Sequence, residues 1–248
     1  MLDAIKRMFG GRPVGPDWRP VSGWAKSQHY AFKLVREAEG FAIDGSFGSL
    51  PWRLEWGPPQ RDYIPGRELR LRMELGLPPD LQMMVLSRSL LEALEHRTFE
   101  EFTQGNQTYM GSAVPEEMRW LAMWPPAALA GQRELRQHVA ALGVDPAFAE
   151  TWVEGPLARQ LLAAAAGLLR ERPPFLMMAH RGRLYLRMAL PEATSEALAE
   201  AVALFGVAAQ QALRTAGRAL DEHDWSTTAW QTQMPADPAN SPDPTSRP

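Results

Sequence analysis

Glu92, His96 and Glu100 stand at intervals of four residues. On a helix that spacing stacks two carboxylates and an imidazole on one face. Such a set can hold a divalent metal that activates water for hydrolysis. The same spacing also makes ordinary i,i+4 pairs along a solvated face. A three-ligand site on one helix needs partners from elsewhere, and no second His/Asp cluster pairs with it in the sequence. A further acidic–histidine cluster, DEHDW at Asp221–Trp225, reads as a helix end. His29 and His138 are isolated, and His180 falls at a hairpin turn.

The second candidate chemistry is anion binding. Between Arg172 and Pro191 the chain carries four arginines and no acid. Arg183, Tyr185 and Arg187 follow a period of two, so they share one strand face, with Arg181 in the preceding turn. Such a face can grip phosphates and stack a base. RGRLYLRM resembles an RNA-recognition strand but lacks most of the expected aromatics and the βαββαβ order. The competing reading is a solvated strand paired to acidic neighbours. Nucleic-acid binding requires Arg183 and Arg187 to be exposed and unpaired.

Other chemistries lack their residues. The chain has no cysteine, which excludes thiol nucleophiles, disulfides and thiolate metal sites. There is no phosphate-binding glycine loop and no HExxH. In IDGSFGS, Ser46 lacks the glycine two residues before it that a nucleophile elbow needs, so it reads as a turn. A formal charge of -3, from 26 basic and 29 acidic residues, does not describe a generic polyanion binder. The sequence therefore assigns no catalytic residue, cofactor or metal, and it leans against an enzyme.

The elements that position these residues follow from periodicity. A helix is expected over 22–38, with Ser22 as N-cap and Gly40 as the stop. Strands are expected near 41–47 and 51–57, around a turn at Gly48, and near 67–75 and 81–87. In LPWRLEWGPPQRDYIPGRELRLRMEL, Trp52, Leu54 and Trp56 alternate with Arg53 and Glu55. Leu69, Leu71, Met73 and Leu75 alternate with Arg70, Arg72 and Glu74. Each strand thus buries one face, making Trp52 and Trp56 core residues, and wets the other. Five arginines face four acids from Arg53 to Glu74. They read as exposed cross-strand ion pairs, each contributing under about 1 kcal/mol, Arg70 among them.

Helices follow over 89–102, 115–124, 132–142, 146–152 and 156–170. A second hairpin joins strands near 174–180 and 183–190, and a long C-terminal helix spans 195–220. Trp120 and Trp124, one turn apart, read as core. LRLRMEL (Leu69–Leu75) and LYLRMAL (Leu184–Leu190) agree at five of seven positions, as a duplicated unit or chance alternation would make them. The fold class is α+β, with antiparallel sheet packed against several helices. Residues 1–20 read as a flexible N-terminal arm and 21–220 as the globular core, with a lobe break near 104–114 in a two-lobed version. Residues 221–248 read as a polar arm and a disordered proline-rich tail.

At PWRLEWGPPQRDYIPGRELRLR and PEEMRWLAMWP, with GPLARQLL and RGRLYLRM further on, the chain resembles a family of uncharacterised bacterial hypothetical proteins of unknown function. The resemblance spans roughly residues 20 to 215, and it implies no activity, cofactor or site residue.

The N-terminus lacks the apolar core of a secretory signal, and the longest apolar runs are too short for a membrane span. A soluble cytoplasmic chain is expected, without membrane association. The leading function is a non-catalytic protein-interaction module with an unidentified protein partner. The alternatives are anion or nucleic-acid binding through Arg181–Arg187, and metal-assisted hydrolysis through Glu92, His96 and Glu100. Trp225 and Trp230 sit in a polar stretch and are candidate anchors for the chain's own core, a partner or a second copy in a homo-oligomer.

Overall fold

Strict alternation in LPWRLEWG and ELRLRME produces strands with one apolar face, and the fold is built on that face. The computed structural model describes residues 16–35, 39–103 and 116–231, with side chains described within 16–35, 39–99 and 119–217. In chain order the elements are α1 (Arg19–Ser27), β1 (Ala31–Val35), β2 (Gly40–Phe47), β3 (Leu50–Gly57), β4 (Glu68–Glu74), β5 (Met83–Ser87), α2 (Arg88–Thr103) and α3 (Glu116–Met123). There follow a 3-10 turn (Leu135–Gln137), β6 (Val139–Gly143), α4 (Pro146–Val153), α5 (Pro156–Ala166), β7 (Phe175–His180), β8 (Arg183–Ala189) and α6 (Ser195–Gln231). The strands form one eight-stranded sheet in the order β1-β2-β3-β4-β8-β7-β5-β6. Every pairing in it is antiparallel. The protein is α+β, as its sequence pattern implies.

One face of the sheet carries the main core. Ile43, Trp52, Leu54, Leu71, Leu186, Met177 and Val85 are all buried there under α1, α4, α5 and α6. Asp145 caps α4 by accepting from the Ala147 amide at 2.8 Å. Trp152 then ties α4 to α6, its Nε1 donating to the Ala208 carbonyl at 3.0 Å. The opposite face is divided. Over β5, β6 and β7 it is apolar, and Leu90 and Leu94 of α2, Trp120 of α3 and Trp124 just after α3 cover it. The two indoles stack at 5.1 Å between centroids, as core residues. Over β1 to β4 and β8 the same face is polar.

Both hairpins rest on turn chemistry. Phe47 faces Leu50 across Gly48, whose φ is +59°. His180 faces Arg183 across Arg181 and Gly182, with φ of +49° and +78°. In this second turn, two central residues with positive φ match the twist of the strands they join.

Two expected helices give way to strands, the first only in its second half. The helix expected over 22–38 stops at Ser27, His29 turns the chain at φ +60°, and β1 follows. Tyr30 and Phe32 then alternate against the aromatic cluster of Trp24, Phe41 and Trp52. The helix expected over 132–142 is a 3-10 turn followed by β6, all of whose residues are buried. Pairing with β5 from Ser87↔Val139 to Met83↔Gly143 outweighs the helix preference of Ala and Leu. The globular part also begins before residue 20, because Trp18 packs edge-on against Phe41 and Trp56 at 5.0 and 5.1 Å. At the other end α6 runs to Gln231 rather than stopping at 220. The break expected near 104–114 and the tail from Pro235 lie outside the described residues. No helix among the described residues is long and apolar enough to cross a membrane.

Trp52 and Trp56 are both buried, but their indole nitrogens differ. Trp56 Nε1 donates to the Leu190 carbonyl at 2.8 Å, whereas Trp52 Nε1 is buried with no acceptor among the described residues. Urea unfolding should show Trp52→Ala to cost about 3–5 kcal/mol. Trp56→Phe should cost more than Trp52→Phe by about 1 kcal/mol, because only the former strands a carbonyl.

Candidate functional site

Register explains the polar half-face. Across it, Asp44 faces Arg53, Arg53 faces Arg72, and Arg72 faces Tyr185. In the parallel row Glu55 faces Arg70, and Arg70 faces Arg187. Twice, therefore, an arginine lies directly opposite another arginine, which is unfavourable unless carboxylates intervene.

For Arg70 and Arg187 the carboxylate is Glu68. Its side chain is 0% exposed, and those of Arg70 and Arg187 are 16% and 14% exposed. Arg187 Nη1 donates to Glu68 Oε1, Arg70 Nη1 donates to Oε2 at 3.1 Å, and the Gln60 amide donates to Oε2 at 2.6 Å. Arg70 also donates to the Pro58 carbonyl at 3.0 Å, so the Gly57–Gly66 loop is pinned over this group. Arg70 Nε lies 3.5 Å from Glu55 Oε2, close enough for ionic attraction but without hydrogen-bond geometry. The arginine expected to be an exposed partner is thus half of a buried ionic centre.

Arg53 is compensated in another way. It donates to Glu55 at 2.7 Å and to Asp44 at 2.9 Å, and Lys33 reaches Asp44 at 3.1 Å. Burial pushes the Glu55 carboxyl up, but the Arg53 hydrogen bond and the charges of Arg53, Arg70 and Arg72 outweigh it and hold it below its ordinary value. Asp44 is lowered in the same way, with Lys33 and Arg53 overcoming its burial. At the far end Arg183 pairs with Glu74, and that hydrogen bond, with one to Tyr185, raises the Arg183 pKa.

Arg72 is left over. It is exposed, and it makes no hydrogen bond or ion pair among the described residues. It sits in a trough of about 500 Å³ walled by Asp44, Arg53, Glu74, Arg183 and Tyr185. Tyr185 marks the border of the trough. Its strand neighbours are Arg72 on one side and Met178 of the smaller apolar cluster on the other.

Of the residues expected to form a binding face, Arg183 and Tyr185 line this trough. Arg187 is held by Glu68, and Arg181 is exposed in the turn. The condition for nucleic-acid binding is not met, since Arg183 and Arg187 both hold carboxylates. Arg53, Arg72 and Glu74 were legible as a charged strand face but not as a site, and Asp44 was not singled out, because only the pairing register brings them to Tyr185. Glu92 and His96 lie on α2, and the Glu100 side chain lies outside the described residues. Among the described residues no group of three or more His, Cys, Asp or Glu could hold a metal. The side chains of Asp221–Trp225 and Trp230 also lie outside the described residues, on the last turns of α6.

No protein-family model matches the chain. No curated protein matches it either. Among solved structures it is similar to the crystal structure of the mycobacterial trehalose monomycolate transport factor A. The TM-score is 0.44 and the identity 9%, over 83% of this chain and 97% of that one. A likeness this distant does not bear on what the trough binds.

The ionic centre makes a ranked expectation. Glu68→Gln should cost about 3–5 kcal/mol in chemical denaturation, because it leaves two nearly buried guanidinium groups without their anion. Arg70→Ala should cost about 1.5–3 kcal/mol, the range for a hydrogen bond to a charged group. Asp44 and Glu55 add a pH dependence. Their folded pKa values are lowered from 3.8 and 4.5, so their stabilisation is present above those values and is lost as pH falls through the folded ones. Thermal melts should show stability dropping below about pH 5, with a shallower drop in Asp44→Asn/Glu55→Gln.

Proposed function

We propose that the chain is a non-catalytic binding module whose open sheet face takes a segment of a partner protein. Arg72 carries this reading. It is a cation set directly opposite Arg53, in a trough where the neighbouring charges already hold partners. An acidic side chain from a partner would relieve that repulsion, and an apolar or aromatic side chain beside it would lie on Tyr185. Charge pairs held by the sheet cost little further ordering on binding, which favours association. Asp44 and Glu74 line the same trough. Their carboxylates disfavour a nucleic-acid backbone and suit a polypeptide that carries both charge signs. We infer a cytoplasmic setting for this module, with the partner supplied by another chain or by a second copy.

The test is affinity capture from the native host with the tagged wild-type chain and the Arg72→Glu/Tyr185→Ala variant. The wild type should retain a defined protein whose cross-links map to β3, β4 and β8. The variant should lose that protein while melting at the same temperature. If both chains retain the same proteins, or the cross-links map elsewhere, the reading fails.

A further inference from the structure

A second cavity, sharing no residue with the trough, lies where β5 passes into α2. It holds about 330 Å³ and is lined by Arg88, Arg136 and Arg172, with Glu92 as its one carboxylate. None of the three arginines makes an ion pair among the described residues. Three arginines line one small space with Glu92 as the sole carboxylate to offset them, which leaves it an excess of positive charge, and the fork geometry of a guanidinium suits the oxygens of an anion.

The surroundings hold them there. The Arg88 amide donates to the His138 carbonyl and its Nε to the Arg136 carbonyl, both at 2.9 Å, so α2 and the 3-10 turn are locked together. Arg172 sits at φ +50°, a left-handed conformation that favours glycine. It is held by the hydrogen bond from its amide to the Leu169 carbonyl at 2.9 Å and by the Ser89 hydroxyl, which donates to the Arg172 carbonyl at 3.0 Å. Backbone strain kept at an arginine that lines a cavity is the kind of outlier that accompanies a binding site. The opposite wall is apolar, with Val139, Leu161 and Leu169 buried behind it.

We propose that this cavity binds a phosphate monoester of a small organic molecule. The three arginines would take the dianionic phosphate, and the apolar wall would take the organic body. The volume lies at the small end of the range for small-molecule sites, too little for a nucleic-acid strand. The amino end of α2 opens on the same space and adds a favourable field for the anion.

Calorimetric titration with phenyl phosphate, at constant ionic strength, tests this. The wild-type chain should bind one equivalent with Kd below about 1 mM, and more tightly than inorganic phosphate. Arg136→Gln/Arg172→Gln should weaken phenyl phosphate by about tenfold or more without changing the melting temperature of the free chain. The variant Arg72→Glu should bind it as the wild type does, which separates this site from the partner-binding face. The proposal is overturned if no saturable binding occurs. It is equally overturned if phenyl phosphate binds no tighter than phosphate, or if the Arg136/Arg172 variant keeps its affinity.

Discussion

Everything in this molecule depends on the pairing of β4 with β8. The two strands are more than a hundred residues apart in the chain, and they are the sole strand pairing that joins β1–β4 to β5–β8 among the described residues. The seam brings Leu69, Leu71 and Met73 against Met188, Leu186 and Leu184, so the two similar Leu-Arg strings lie side by side and antiparallel. On the core side this continues one apolar layer under α6. On the other side it forces arginine against arginine, and Glu68 is what makes that tolerable. A carboxylate with no exposure, held by two guanidinium groups and a backbone amide, is costly to bury but fixes register. A one-residue slip of β4 would turn Glu68 and Arg70 to the core face and leave Arg187 without its carboxylate.

The polar trough is a product of the same seam. Arg53 comes from β3, Arg72 and Glu74 from β4, and Arg183 and Tyr185 from β8. Without the seam the wall of the trough would be missing. The ionic centre also anchors the Gly57–Gly66 loop through Gln60 and Pro58. The open face is therefore rigid where its charges are paired, and its unsatisfied chemistry is concentrated at Arg72.

Sequence pattern carried the local half of this account. Alternation in TrpArgLeuGluTrp and LeuArgLeuArgMet placed the indoles inside and the charges outside, and glycine positions marked both hairpins. It could not carry register. Arg70 and Arg72 look alike in the sequence, yet one is nearly buried on Glu68 and the other is exposed and unpaired, because β8 presents Arg187 to the first and Tyr185 to the second. β1 and β6 were illegible for a related reason. AFKLV and VAALG are short and contain good helix formers, and only the neighbouring strand makes them extended. The arginine cavity escaped notice because its residues come from three separate segments, each with one or two basic residues.

Native-state hydrogen exchange tests the seam most directly. The Leu190 amide donates to the Arg67 carbonyl and the Leu75 amide to the Gly182 carbonyl at 2.9 and 2.8 Å. Alternation between these ends places the Leu71 and Leu186 amides in hydrogen-bonded positions across the seam. Those two amides should exchange only through global unfolding, with the same opening free energy as the Leu54 and Met177 amides in the two halves of the sheet. If Leu71 and Leu186 exchange through a cheaper opening that leaves either half protected, the halves are independent units. The trough built across them would then not be a fixed surface.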